Sequence, residues 1–262
     1  MSNFGRVVEV LVAGMTFSME HFNMEGEVPF DDDVLPNESV IRIWNLSAET
    51  INKIKRGETL MVNAGYSGDV GVILHSFVSA VRTTWEGVNK ITSIYVMDSE
   101  DLSKRTLKDV SYKAGTLGSY IIKAMAGQIG LPIAQFELVQ DYRYTDGYTA
   151  SGEVTEIIAK VAKDCKTSVF INKSKLYVRN LRRGADDLFK LSDTTGLIGT
   201  PEYQEGEESK GYQLKSQLQY RITTASVIDL VSRTFKGRLY VRGGSHSFSR
   251  TGDFVTTMEA VL

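Results

Sequence analysis

The chain has 262 residues, 42% of them apolar, which is enough for one large domain or two to three small ones with real cores. Thirty basic against thirty-two acidic residues give a formal charge of -2, with no block of one sign, so composition offers no electrostatic case for nucleic-acid or membrane binding. One cysteine, Cys165, excludes an internal disulfide and with it a disulfide-stapled secreted scaffold.

In chain order, Met-Ser-Asn-Phe-Gly-Arg lacks the basic region and apolar stretch of a signal peptide, and no apolar run approaches the ~20 residues of a membrane span. A soluble protein made in a cytoplasm is expected. Period-two patterns dominate residues 1 to 100. Arg6, Val8, Val10 and Val12 share one strand face, and Met15, Phe17 and Met19 alternate with Thr16, Ser18 and Glu20. An extended run from Asn37 to Leu46 follows, then a short helix with Ser47 as N-cap, Glu49 in its first turn, Leu46 and Ile51 as a hydrophobic staple and Gly57 as its stop. Leu60, Val62 and Ala64 alternate again, as do Val72 and Leu74, and Ile94 and Val96. Six or so strands, with glycine-bearing turns at 14, 26, 57, 65, 68 and 87, argue for a sandwich or barrel.

From about 112 to 195 the period changes. Leu117, Tyr120, Ile121, Ala124, Met125, Gln128 and Ile129 form an amphipathic helical stripe, with Thr116 as the expected N-cap and Gly130-Leu131-Pro132 as its end. A second helix begins near Ser151-Gly152-Glu153 and carries the stripe Val154, Ile157, Ile158, Val161 and Ala162. Cys165 falls on that apolar face and reads as a buried, inert thiol. Two short strands, Ser168 to Ile171 and Leu176 to Arg179, flank Asn172-Lys173-Ser174-Lys175, a turn without glycine whose type the sequence leaves open. From 196 onward period two returns: Leu214, Leu218, Tyr220 and Ile222 are expected on one strand face, and Phe254, Met258, Ala260 and Leu262 on one face of the last strand. Gly199 to Gly211, acidic through Glu202, Glu205, Glu207 and Glu208, reads as an exposed loop. The expected class is α+β, mainly β: a first domain over 1–111, an inserted α/β module over 112–195 and a second β-rich domain over 196–262.

Residues that carry chemistry elsewhere do not form a constellation here. His21, His75 and His246 lie in separate predicted strands, and no two have metal-ligand spacing. Asp31-Asp32-Asp33 lacks the glycine and glutamate of a calcium loop, and reads as a solvated turn before Pro36. No Gly-x-Ser-x-Gly, HExxH or phosphate-binding loop occurs. In Gly243-Gly244-Ser245-His246, adjacent strand residues point to opposite faces, so the serine and histidine do not share a proton, and the paired glycines read as a turn or bulge. A carboxylate pair for sugar hydrolysis assembles only in the fold and stays open. Trp44 and Trp85, the only tryptophans, sit in strand patterns where core or interface packing explains them. The expected catalytic, cofactor-binding and metal sites are none.

Several pieces in order resemble the baseplate hub proteins of phage tails and related contractile injection devices. They are Asn45-Leu46-Ser47 leading through Gly57 to Ala64-Gly65-Tyr66, then Lys113-Ala114-Gly115-Thr116 and Gly130-Leu131-Pro132 around a helix, and Thr149-Ala150-Ser151-Gly152 opening the next. After these come Leu191 to Glu202, Gly237-Arg238-Leu239-Tyr240-Val241, His246-Ser247 and Gly252 to Thr257. The resemblance implies two tube-type β-barrel domains per chain and a homotrimeric ring with quasi-sixfold symmetry. Such a ring joins a tail tube or distal tail protein to a central spike or tail lysin, with the tape measure protein as a further partner. It lines the DNA conduit, binds no specific nucleic-acid sequence and no membrane, holds no cofactor, and resides in the virion baseplate. A tail-tube or distal-tail protein, a cell-wall hydrolase and a glycan-binding tail module are the alternatives; the two-helix insertion favours the hub.

Overall fold

The computed structural model describes residues 4–97, 106–183, 188–205 and 210–262. Of these, 56% lie in strands and 13% in helices, so the class is mainly β. The chain divides into two compact units, one of Met1–Asp31, Asn37–Asp98 and Gly184–Leu262, the other of Asp32–Pro36 and Ser99–Arg183.

The first unit opens with β1 (Arg6–Val12), β2 (Met15–Ser18), β3 (Met24–Phe30) and β4 (Glu38–Trp44). Helix α1 (Ala48–Lys53) follows, then β5 (Thr59–Tyr66), the 18-residue β6 (Asp69–Glu86) and β7 (Asn89–Met97). The Ser47 hydroxyl accepts the Thr50 N–H at 3.0 Å, as the capping reading requires. The helix stops at Lys53, and Gly57 (φ +87°) serves the turn into β5 instead. Of the six glycines read as turns, Gly26 and Gly65 lie inside β3 and β5. A Cβ on Gly26 would come within 2.6 Å of the Phe248 ring, and one on Gly65 within 2.2 Å of the Asp69 carbonyl, so close approach rather than chain reversal selects glycine there.

The second unit holds β8 (Thr106–Tyr112), β9 (Thr116–Leu117), α2 (Gly118–Ile129), β10 (Ile133–Phe136), β11 (Arg143–Tyr144), β12 (Tyr148–Glu153), α3 (Val154–Asp164), β13 (Ser168–Asn172) and β14 (Lys175–Arg179). The helical stripes face inward: Ile121, Ile122, Met125, Ile158 and Val161 pack with Val169, Ile171, Leu176 and Val178 in one cluster. Thr116 is not the cap of α2. It pairs in β9, Leu117 takes the N-cap position without a side-chain bond, and Asp141, 22 residues downstream, accepts the Ser119 N–H at 2.9 Å. The β13–β14 reversal places Lys173 (φ +49°) and Ser174 (φ +62°) in the left-handed region, the geometry of a two-residue primed turn made without glycine.

The chain then returns to the first unit through β15 (Leu188–Ser192), β16 (Glu202–Glu205), β17 (Lys210–Gln217), β18 (Val227–Val231), β19 (Lys236–Ser249) and β20 (Phe254–Val261). Glu202–Glu205, expected within a loop, forms a strand antiparallel to β17, while Glu207 and Glu208 lie outside the described residues. Strand β17 ends at Gln217, so Leu218, Tyr220 and Ile222 belong to the segment beyond it rather than to its face. In the last strand Phe254, Met258 and Ala260 are buried and Leu262 is exposed.

Thirteen strands of this unit form one sheet with the path β16-β17-β20-β19-β3-β4-β7-β6-β5-β1-β2, and β18 and β15 branch from β19. The pairing traces no closed barrel among the described residues. Two cores lie against it. The larger collects Val8, Val10, Ile41, Ile43, Leu60, Val62, Ile94 and Val96 from the first hundred residues, and is completed by Leu218, Phe248 and Phe254. The smaller joins Leu214, Ile228, Leu230, Leu239, Val241 and Met258. Gly243 marks a register shift in β19 against β20, the bulge read from the paired glycines.

Candidate assembly surface

The side chains singled out for chemistry are kept apart by the fold. His21 is exposed in the turn after β2, and His75 sits in β6 with its ring 6.3 Å from that of Phe77. His246 is buried, its Nδ1 2.9 Å from Thr256 Oγ1 and its ring 5.1 Å from that of Phe30. Ser245 Oγ lies 2.9 Å from Thr257 Oγ1, on the opposite face of β19 from His246. Asp33 accepts the Leu35 N–H at 2.7 Å, a side-chain closure of the turn before Pro36. No group of three or more His, Cys, Asp or Glu that could hold a metal occurs among the described residues.

Cys165 is buried at the end of α3, and burial pushes its thiol up, away from the thiolate that a nucleophile needs. Its sulfur occupies the space beside Gly118 where a Cβ would come within 2.5 Å, which lets α2 and α3 approach closely. Nearby, the Tyr144 hydroxyl donates to Asp164 at 2.6 Å. Burial and then the Asp164 carboxylate raise its pKa, so it remains a hydrogen-bond donor.

A polar cluster invisible to sequence reasoning ties the start of β6 to the turn after β17. Arg221 donates to both oxygens of Asp69 at 2.6 and 3.0 Å, and the Tyr220 hydroxyl adds a bond to the same carboxylate at 3.1 Å. The Arg221 guanidinium lies 4.3 Å from the centre of the Tyr220 ring. The ring in turn fills the space over Gly71, where a Cβ would meet it at 2.1 Å. Arg221 holds the Asp69 carboxyl below the usual carboxylate range. Because 152 residues separate the partners, no spacing motif announces them.

A cleft and an exposed ribbon end mark the surface of this unit. A cleft of about 560 Å³ over β3, β4 and β19 is lined by Glu25, Glu27, Glu38 and Asp253, with Arg42 bonded to Glu25 at 2.9 Å. The ribbon of β6 and β7 ends in an exposed turn, where Trp85 is 71% and Val88 91% accessible. Trp44 is half-buried, whereas Trp85 is no core residue.

The same arrangement of strands and helices occurs in solved proteins. A tail protein from Neisseria meningitidis MC58 superposes with a TM-score of 0.72 at 9% identity, over 99% of this chain and 97% of that one. The fold is that of a phage tail protein. The 43 kDa tail protein of prophage MuSo2 from Shewanella oneidensis matches at TM-score 0.73 and 8% identity, over 98% of this chain and 97% of its own. An Escherichia coli component of the type VI secretion system, described as structurally similar to T4 bacteriophage tail proteins, matches at 0.67 and 10% identity, over 96% and 76%. No family model and no curated protein sequence matches the chain. The likeness is one of fold, at 8–10% sequence identity.

Proposed function

We propose that the chain is a structural hub of a phage tail baseplate, three copies of which form the ring between the tail tube and the central spike. In this reading the first and third zones supply two tube-type barrel domains per chain, completed on assembly, and the two-helix unit is carried as an insertion. The ring lines the passage for DNA, and the carboxylates around Glu25, Glu27 and Glu38 suit a wall to which a polyanion does not adhere. The observation that carries the proposal is the match to tail proteins over nearly the full length of both chains, helical insertion included. The role is mechanical, so the isolated chain is expected to cleave neither peptidoglycan nor peptide.

The stoichiometry in purified tails tests it. Three copies per tail, at the end opposite the head by antibody labelling, is the expected result. Six copies, one copy, or peptidoglycan clearing abolished by a single carboxylate, His or Cys165 substitution would overturn the assignment.

A further inference from the structure

Strands β15, β18 and β19 present a face that the rest of the first unit leaves open. Strand β15 runs parallel to β18, and Lys236–Tyr240 of β19 runs antiparallel to it. Their register sets Lys190, Asp229 and Arg238 in one row and Ser192, Val231 and Lys236 in the next. Residues abreast on paired strands share a face, so both rows lie on the same side, with Leu188, Val227 and Tyr240 as a third row. The alternate residues Leu191, Ile228, Leu230 and Leu239 point the other way and belong to the smaller core. A sheet with one packed face is ordinarily polar on the other. Here Val231 and Leu188 stay 50% and 47% accessible, and an open groove of about 820 Å³ runs along Lys190, Asp229, Val231, Lys236 and Arg238.

Charge in this groove runs against the rest of the molecule. The chain carries a formal charge of -2, and the cleft over β3, β4 and β19 is lined by carboxylates. The groove instead has Lys190, Lys236 and Arg238 against the single carboxylate of Asp229, which Arg238 already holds at 3.1 Å. Asp193, the next acidic residue along β15, lines the neighbouring cleft. The cations stand on the two outer strands and Val231 on the central one, so positive charge straddles an apolar middle. Both walls are fixed. Ser232 Oγ accepts the Phe235 N–H at 3.0 Å in the β18–β19 turn, and the Ser232 N–H donates to the Phe235 carbonyl at 2.9 Å. Thr195 Oγ1 accepts the Ser192 N–H and donates to the Lys190 carbonyl, each at 2.8 Å, so the backbone of β15 is engaged there and a partner meets the face rather than the edge.

We propose that this face docks an amphipathic helix of a partner protein, apolar where it lies on Val231 and Leu188 and acidic along both flanks. Dimensions select a helix: three strands span about 10 Å at ~4.8 Å spacing, and five residues run about 13 Å along them. A helix ~10 Å wide covers that patch in two to three turns, whereas one extended strand leaves half of it in water. Leucine-type side chains on its underside remove Val231 and Leu188 from water. Carboxylates on its two flanks meet Lys190 on one side and Lys236 on the other, which fixes its orientation and excludes basic partners. The site goes beyond the hub reading and does not depend on it.

Two labelled helical peptides test it by fluorescence anisotropy with the full-length chain. One carries leucines along one side and glutamates on both flanks; the other has lysines in place of the glutamates. The expected result is saturable binding of the glutamate peptide alone, weakening as salt rises. Val231→Asp, and separately Lys190→Glu combined with Lys236→Glu, each lower that affinity about tenfold or more. All three positions are exposed, so each variant is expected to melt as the parent does. The doubly charge-reversed chain should in turn acquire binding of the lysine peptide, an exchange that a merely structural role for these lysines does not produce. No saturable binding, equal binding of the lysine peptide to the parent chain, or indifference to both variants would overturn the proposal. So would tighter binding to phosphatidylserine vesicles or to duplex DNA than to the glutamate peptide. The number of copies per tail bears on none of these outcomes, so this site and the hub reading stand or fall separately.

Discussion

Phe254 gives the most direct test of how the end of the chain supports its beginning. It is 3% accessible and belongs to the core built by Val8, Ile41, Leu60 and Val96. Its ring meets Tyr66 edge-on at 5.3 Å, and the Arg6 guanidinium lies 5.3 Å from its centre. Truncating a buried phenylalanine to alanine costs about 3–5 kcal/mol, through lost transfer energy and the cavity left behind. In a unit of this size that lowers the melting temperature by about 6–20 °C. Phe254→Asp costs more, because a carboxylate is then buried among apolar side chains. A double-mutant cycle in urea between Phe254→Ala and Tyr66→Ala isolates the ring contact, expected at about 0.5–1.5 kcal/mol. An unchanged melting temperature for Phe254→Asp would place the residue in solvent and the strand one residue out of register. Strict additivity in the cycle would refute the packing of the two rings.

Three further outcomes follow from sites already described. Asp69 ionises below its unfolded value because of Arg221, so the pair stabilises the fold above about pH 4 and ceases to as pH falls through the folded value. Arg221→Met should therefore lower stability at neutral pH and match the parent in strong acid; a deficit equal at both pH values would show that packing, not charge, is lost. Gly244→Ala places a Cβ 2.0 Å from the Thr257 carbonyl and should cost about 1–3 kcal/mol in urea unfolding, whereas a neutral result would mean the β19–β20 ladder yields there. Cys165 should react with a thiol reagent only as fast as its surroundings open, and rapid labelling of the native protein would contradict its burial.

Sequence periodicity reveals what is local. Val8, Val10 and Val12, or Ile94 and Val96, alternate because one strand face meets a core, and the α2 and α3 stripes follow from a single buried side. It fails where the partner is remote. Thr116 has the chemistry of a cap, yet Asp141 takes the bond; Gly26 resembles a turn residue, yet Phe248 demands the space. Glu202–Glu205 looks like loop because edge strands carry charge, and only pairing with β17 identifies it. The Asp69–Arg221 clasp and the β19–β3 junction are likewise contacts between the two ends of the chain, which no window of sequence contains.

That junction sets a schedule for synthesis. Strand β3 leaves the ribosome early and meets β4 on one side at once, but β19, which flanks it on the other, follows roughly 200 positions later, a delay of about 10–40 s at ordinary elongation rates. Until then the nascent chain carries an open β3 edge and a core lacking Leu218, Phe248 and Phe254, while the two-helix unit has every residue it needs to fold. Contacts so distant in sequence also make folding slow after release. Loss of the last thirty or so residues removes β19 and β20 and so strips one partner each from β3, β17 and β18, and a prematurely terminated chain carries those sticky edges together with a helical unit whose residues are all present.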